Sequence, residues 1–87
     1  MAYSFVWTKE AACDLRALDL VLVKRVVRKI LWLERQANPL LRARVLRQPA
    51  IGDVRFRIGD YRLIGILKES AREIVIVKIG HRRKVYL

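Results

Sequence analysis

The feature that most constrains this chain is a change of hydrophobic period along it. Up to Ala37 apolar residues recur at helical spacing, whereas from Val54 onward they recur at every second position. Val54, Phe56 and Ile58 alternate with Arg55 and Arg57. Gly59-Asp60 then supplies a turn into Tyr61 to Lys68, and Glu69 to Arg72 a second turn into Glu73 to Ile79. The pattern predicts a three-stranded antiparallel meander. Its last strand is apolar throughout Ile74-Val75-Ile76-Val77, which predicts an inner strand covered on both faces.

The first half reads differently. Ser4 to Trp7 suits a short edge strand, and Thr8 is placed to cap a helix running to Leu18, with Ala11, Ala12, Leu15 and Leu18 on its apolar face. Asp19 caps a second helix running to about Ala37. In it Leu20, Val23, Val27, Ile30, Leu31 and Glu34 follow one stripe, and Lys24, Arg25, Arg28, Lys29 and Arg35 populate the other side. Asn38-Pro39 ends that helix. Leu40 to Gln48 suits one or two helical turns, but Pro49 and Gly52 mark it as a connector. At 87 residues the chain is expected to form one domain, 1–87, of the α+β class: an N-terminal helical hairpin packed on a small, mainly antiparallel sheet.

Charge narrows the choice of partner. Nineteen Lys and Arg against eight Asp and Glu leave a formal net charge of +11, and thirteen of the nineteen are arginine. Positive charge at that density repels itself in a compact body and calls for an anionic partner; the guanidinium fork suits phosphate in particular. A membrane partner is not expected, because the longest uncharged stretch is Met1 to Thr8, far short of the roughly 20 apolar residues of a spanning helix. A basic-then-apolar secretory leader is also missing, and the single cysteine, Cys13, forms no internal disulfide, so a reducing cytoplasm is expected. Cys13 itself reads as a small buried helix residue.

The chemistry available to such a chain is limited. His81 is the only histidine, Cys13 is remote from it, and no acidic pair has ligand spacing, so neither a metal nor another cofactor is expected. Gly52, Gly59, Gly65 and Gly80 are too scattered for a phosphate-cradling loop. Phosphodiester chemistry would have to proceed without metal. Arg55 and Arg57 leave one face of a strand side by side, Arg62 begins the next strand, and His81-Arg82-Arg83-Lys84 follows the last. Each of these also has a plainer reading as solvated strand face or edge-blunting tail, and Tyr86 as a packing residue.

Arg55-Phe56-Arg57-Ile58-Gly59-Asp60-Tyr61-Arg62, followed by Ile79-Gly80-His81-Arg82-Arg83-Lys84-Val85-Tyr86, resembles the signature of the RelE/ParE toxin superfamily, small basic toxins of microbial type II toxin–antitoxin modules. The resemblance covers Asp53 to Tyr86 closely and the helical hairpin in outline. It implies a RelE-like fold and a metal-independent endoribonuclease cleaving mRNA in the ribosomal A site to a 2′,3′-cyclic phosphate and a 5′-OH end. By position it makes Arg62 a phosphate-binding arginine, Arg82 the arginine near the leaving group and Tyr86 the residue that activates the ribose hydroxyl. His81 is a further catalytic candidate, with Arg55, Arg57, Arg83 and Lys84 binding RNA phosphate. A phenol ordinarily titrates near about pH 10, so a tyrosine base depends on neighbouring cations such as Arg82, Arg83 and Lys84. Leu87 follows Tyr86 at once, so the C-terminal helix present in some relatives is not expected here.

Two other functions fit the same residues. A ParE-like branch implies inhibition of DNA gyrase without RNA cleavage, and a nonenzymatic RNA-binding module would use the same basic face for phosphate contacts. The expected partners are mRNA, the ribosome through its rRNA, and a cognate antitoxin implied by the resemblance. Lys24 to Arg35 is a candidate rRNA contact, with an ordinary solvated helix face as its plainer reading.

Overall fold

The computed structural model describes residues 3–46 and 52–83. β1 (Ser4–Trp7) leads into α1 (Lys9–Arg16) and α2 (Leu20–Glu34). A 3-10 turn (Pro39–Arg42) and β2 (Arg44–Val45) precede β3 (Val54–Ile58), β4 (Tyr61–Lys68) and β5 (Glu73–His81). The five strands form one sheet in the order β1-β5-β4-β3-β2. The predicted meander is present with its two turns, and β1 occupies an edge. Its pairing to β5 is parallel, Phe5 opposite Ile74 and Trp7 opposite Ile76, while every other pairing is antiparallel. Among the described residues no helix is long and apolar enough to cross a membrane.

Both helices start where the sequence places them. The Thr8 hydroxyl accepts from Ala11 N at 3.1 Å and donates to Ile76 O at 2.8 Å, so one side chain caps α1 and pins it to β5. Asp19 Oδ1 accepts from Leu22 N at 3.0 Å and caps α2. Asn38, after α2, caps the 3-10 turn by accepting from Leu40 N at 3.2 Å.

One face of the sheet carries the core. Phe5, Val54, Phe56, Ile58, Leu63, Ile74, Ile76 and Ile79 pack beneath Ala11 of α1 and Val26, Ile30 and Leu33 of α2. Phe5 and Phe56 meet edge to face, their ring centroids 5.5 Å apart. Burying each such large side chain contributes roughly 1.5–3 kcal/mol, which makes this layer the main source of stability.

Several expectations need correction. The inward residues of α2 are Val26, Ile30 and Leu33, whereas Leu20, Val27 and Leu31 are exposed. Of the expected stripe Ile30 is buried and Val23 half-buried; apolar residues occupy more than one side of this helix, so its period alone did not single out Val26 and Leu33. Glu34 is not packed in an apolar stripe: its Oε2 accepts from Phe5 N at 2.8 Å, capping the outer edge of β1. Cys13 is exposed, because Ala11 and its half-buried neighbours Ala12 and Leu15 take the inner side of α1. β5 is an inner strand, but only its helix-side face is fully covered. Val75 is half-buried on the open side, between exposed Val6 of β1 and exposed Ile66 of β4.

The β4–β5 ladder contains a bulge. Gly65 pairs with Ile76 and Ile64 with Lys78, which leaves Val77 as the extra residue. Gly65 sits at this irregularity with no room for a side chain, since an added Cβ would lie 2.7 Å from Ile74 Cγ2. Gly65→Ala is therefore expected to overpack the core and cost about 1–3 kcal/mol, read as a lower urea midpoint with an unchanged denaturant slope.

Candidate functional site

Strand alternation puts the arginines together on the face opposite the core. Arg57 and Arg62 are direct cross-strand partners, and Arg55 lies between Arg44 of β2 and Ile64 of β4. With Arg42 from the 3-10 turn they line a cavity of about 310 Å³ whose lining, among the described residues, is five arginines: Arg42, Arg44, Arg55, Arg57 and Arg62. Like charges set directly opposite one another destabilise a sheet. Such a grouping makes sense as a receptor for several anionic groups at once.

Local structure holds some of these groups in place. Gly59 adopts a φ of 59° in the β3–β4 turn, a region that glycine enters at little cost. Arg62 Nη1 donates to the carbonyl of that glycine at 3.1 Å and to Tyr61 O at 3.0 Å, so the guanidinium is fixed against the turn. Arg42 is held from the helical side: its Cζ lies 5.3 Å from the centre of the Trp32 ring, and Lys29 Nζ lies 4.8 Å from the same ring.

The predicted site residues divide between two faces. Arg55, Arg57 and Arg62 come together on the open face. His81 does not join them. It pairs with Tyr61, the two rings meeting edge to face at 5.5 Å, and both line a cavity of about 750 Å³ with Asp14, Ala17 and Leu18 at the end of α1. The bulge at Val77 causes this: it resets the parity of β5, so that Ile79 and His81 point to the helix side while Gly80 lies opposite Arg62. Arg82 and Arg83 are exposed in the turn after β5, where Arg82 N donates to Asp60 O at 2.8 Å and Arg83 N to His81 Nδ1 at 3.2 Å. Lys84 and Tyr86 lie outside the described residues.

Arg42 and Arg44 were not among the predicted site residues. They sit in the segment read as a connector, and a two-residue strand is too short to show a period; the only sequence signal is their spacing, which repeats that of Arg55 and Arg57.

The profile of the ParE toxin of the type II toxin–antitoxin system parDE matches residues 5–86. The chain belongs to the RelE/ParE toxin superfamily. A RelBE2 toxin–antitoxin complex from Mycobacterium tuberculosis contains a chain 29% identical, with a TM-score of 0.81, over 94% of this toxin and 100% of that chain. An archaeal RelE–RelB complex from Pyrococcus horikoshii OT3 is similar at 26% identity and a TM-score of 0.75, over 97% of this toxin and 99% of that chain. The free E. coli RelE toxin, in mutant form, matches in fold at 20% identity and a TM-score of 0.70, over 99% of this toxin and 92% of that chain. Among curated proteins no significant match is found.

The separation of faces in this toxin can be tested by binding. Arg62→Ala is expected to weaken binding of a fluorescein-labelled single-stranded oligonucleotide by about tenfold, the loss of one charge-assisted phosphate contact. His81→Ala should leave the anisotropy titration unchanged.

Proposed function

We propose that this toxin is a metal-independent endoribonuclease that cleaves mRNA, with the ribosomal A site as its setting and a cognate antitoxin as its regulator. The observation that carries the reading is the cavity on the open sheet face to which five arginines contribute. In-line attack of a ribose 2′-OH on the adjacent phosphate forms the 2′,3′-cyclic phosphate and expels the 5′-oxygen, which leaves as a 5′-OH. The phosphorane-like transition state concentrates negative charge on the phosphate oxygens, and fixed guanidiniums stabilise it more than they stabilise the ground state. Arg62, held against the turn and flanked by Arg57, suits that task.

The remaining roles come from the resemblance. Tyr86 would take the 2′-OH proton, and Arg82 would stabilise the leaving 5′-oxygen, which takes its proton from solvent water because a guanidinium is a poor proton donor. Arg55, Arg57, Arg83 and Lys84 would hold neighbouring phosphates. His81, turned to the helix side with Tyr61, is the weakest of the catalytic candidates on position. A cognate antitoxin is proposed as partner because two of the similar structures are toxin–antitoxin complexes. A cytoplasmic location is proposed as the setting of both mRNA and antitoxin.

The ParE match supports a second reading, inhibition of DNA gyrase by the same basic surface. Two measurements separate the readings. Single-turnover cleavage of ribosome-bound mRNA, with ends mapped by primer extension, is expected to fall by about 10²-fold or more in Arg62→Ala, Arg82→Ala and Tyr86→Phe, as when a transition-state contact is removed. Purified gyrase should keep its supercoiling activity in the presence of the toxin. Intact mRNA together with blocked supercoiling would establish the gyrase reading instead.

A further inference from the structure

A second basic cavity, of about 380 Å³, lies beside the first. Arg25, Arg28 and Lys29 of α2 line one side, and Arg57, Ile58 and Gly59 line the other. None of these residues is acidic. Arg57 belongs to both cavities, so this one residue marks their boundary.

Three further features join the two cavities into one surface. Trp32 packs against Lys29 of the second cavity and Arg42 of the first, and so stations a cation in each. Among the described residues β2 pairs only with Val54 and Arg55, so it does not cover the edge of β3 around Arg57. Gly59 leaves the space into which the Arg25 guanidinium reaches, its Nη2 lying 2.9 Å from where a Cβ would be. The basic surface thus continues from the sheet face, past Arg57, to α2.

We propose that this second cavity is a phosphate-backbone site, and that an RNA strand held on the arginine face continues past Arg57 into it. Phosphate needs only guanidinium and ammonium donors. A peptide partner would need apolar anchors, and the one large apolar residue lining the cavity, Ile58, is itself buried. The inference rests on the RNA-binding reading of the first cavity but not on cleavage.

The test uses 2′-O-methyl oligoribonucleotides, which lack the attacking hydroxyl, in a short form of about four nucleotides and a long form of about sixteen. Affinity is followed by anisotropy across a salt series. Replacing the three helix cations in R25Q/R28Q/K29Q should weaken the long strand at least tenfold and flatten its plot of log affinity against log salt by about 2, from roughly 0.7 per lost phosphate contact. The short strand should bind almost as before. The charge-keeping variant R25K/R28K should retain the wild-type slope, and equal losses in both variants would show a structural effect and overturn the proposal. An unchanged slope on the long strand would also overturn it, including the case where the Gln variant instead loses affinity for an acidic antitoxin segment. Cleavage is read separately on unmodified RNA. Cleavage with an unchanged slope removes the second site and leaves the enzyme, whereas a changed slope without cleavage removes the enzyme and leaves the site.

Discussion

The register of β3, β4 and β5 is the constraint on which the rest of the molecule depends. A slip of one residue would turn the arginines into the core and the isoleucines into water. The register is fixed by what each face demands: Val54, Phe56, Ile58, Leu63, Ile74 and Ile76 must meet the helices. The bulge at Val77 then permits a second solution within one strand. Below it Ile74 and Ile76 face the helices, and above it Ile79 does so, with Lys78 opposite Ile64 on the other side. Without the extra residue, strict alternation would carry Ile79 and His81 to the arginine face. The bulge therefore protects the core and, as a consequence, removes the one histidine from the arginine face.

The acidic residues explain why that surface stays strongly positive. Four of the eight are committed to backbone N–H groups: Asp14 to Ile79, Asp19 to Leu22, Glu34 to Phe5 and Asp53 to Leu67. Each satisfies a donor at a sheet edge, a helix start or a strand interruption, and those to Phe5 and Ile79 are half-buried, where an unpartnered N–H would be costly. Asp14 is the clearest case, since β1 reaches only as far as Ile76 and the Asp14 carboxylate serves β5 beyond it. The carboxylates thus close the fold. Among the described residues neither arginine-rich cavity has an acidic residue in its lining.

What the sequence revealed follows the same division. The meander, its two turns and the caps at Thr8 and Asp19 were legible because each depends on neighbours within a few positions. The inward stripe of α2 was legible only at Ile30, since Leu20, Val27 and Leu31 compete with Val26 and Leu33 and only the packing partner distinguishes them. The parallel partner of β1 and the parity of His81 are likewise long-range facts. Arg55, Arg57 and Arg62 could be grouped from strand alternation across one tight turn, but Arg42 and Arg44 arrive from a distant segment through a strand too short to leave a pattern. Tyr86 and Lys84 rest on the resemblance, because they lie outside the described residues.

The two faces of the sheet therefore have opposite thermodynamic roles. The helix side stabilises the fold through burial, whereas the directly opposed pairs Arg44–Arg55 and Arg57–Arg62 concentrate like charge on the other face, whose mutual repulsion an anion offsets. A polyanion seated across those pairs screens the repulsion only in the native state, because the unfolded chain does not hold the guanidiniums together. Binding and folding stability are then linked, with ligand raising stability as the logarithm of one plus the ratio of its free concentration to its Kd. A small core can tolerate so unfavourable a surface because the cost is confined to one face, separated from the hydrophobic layer by the thickness of a single sheet.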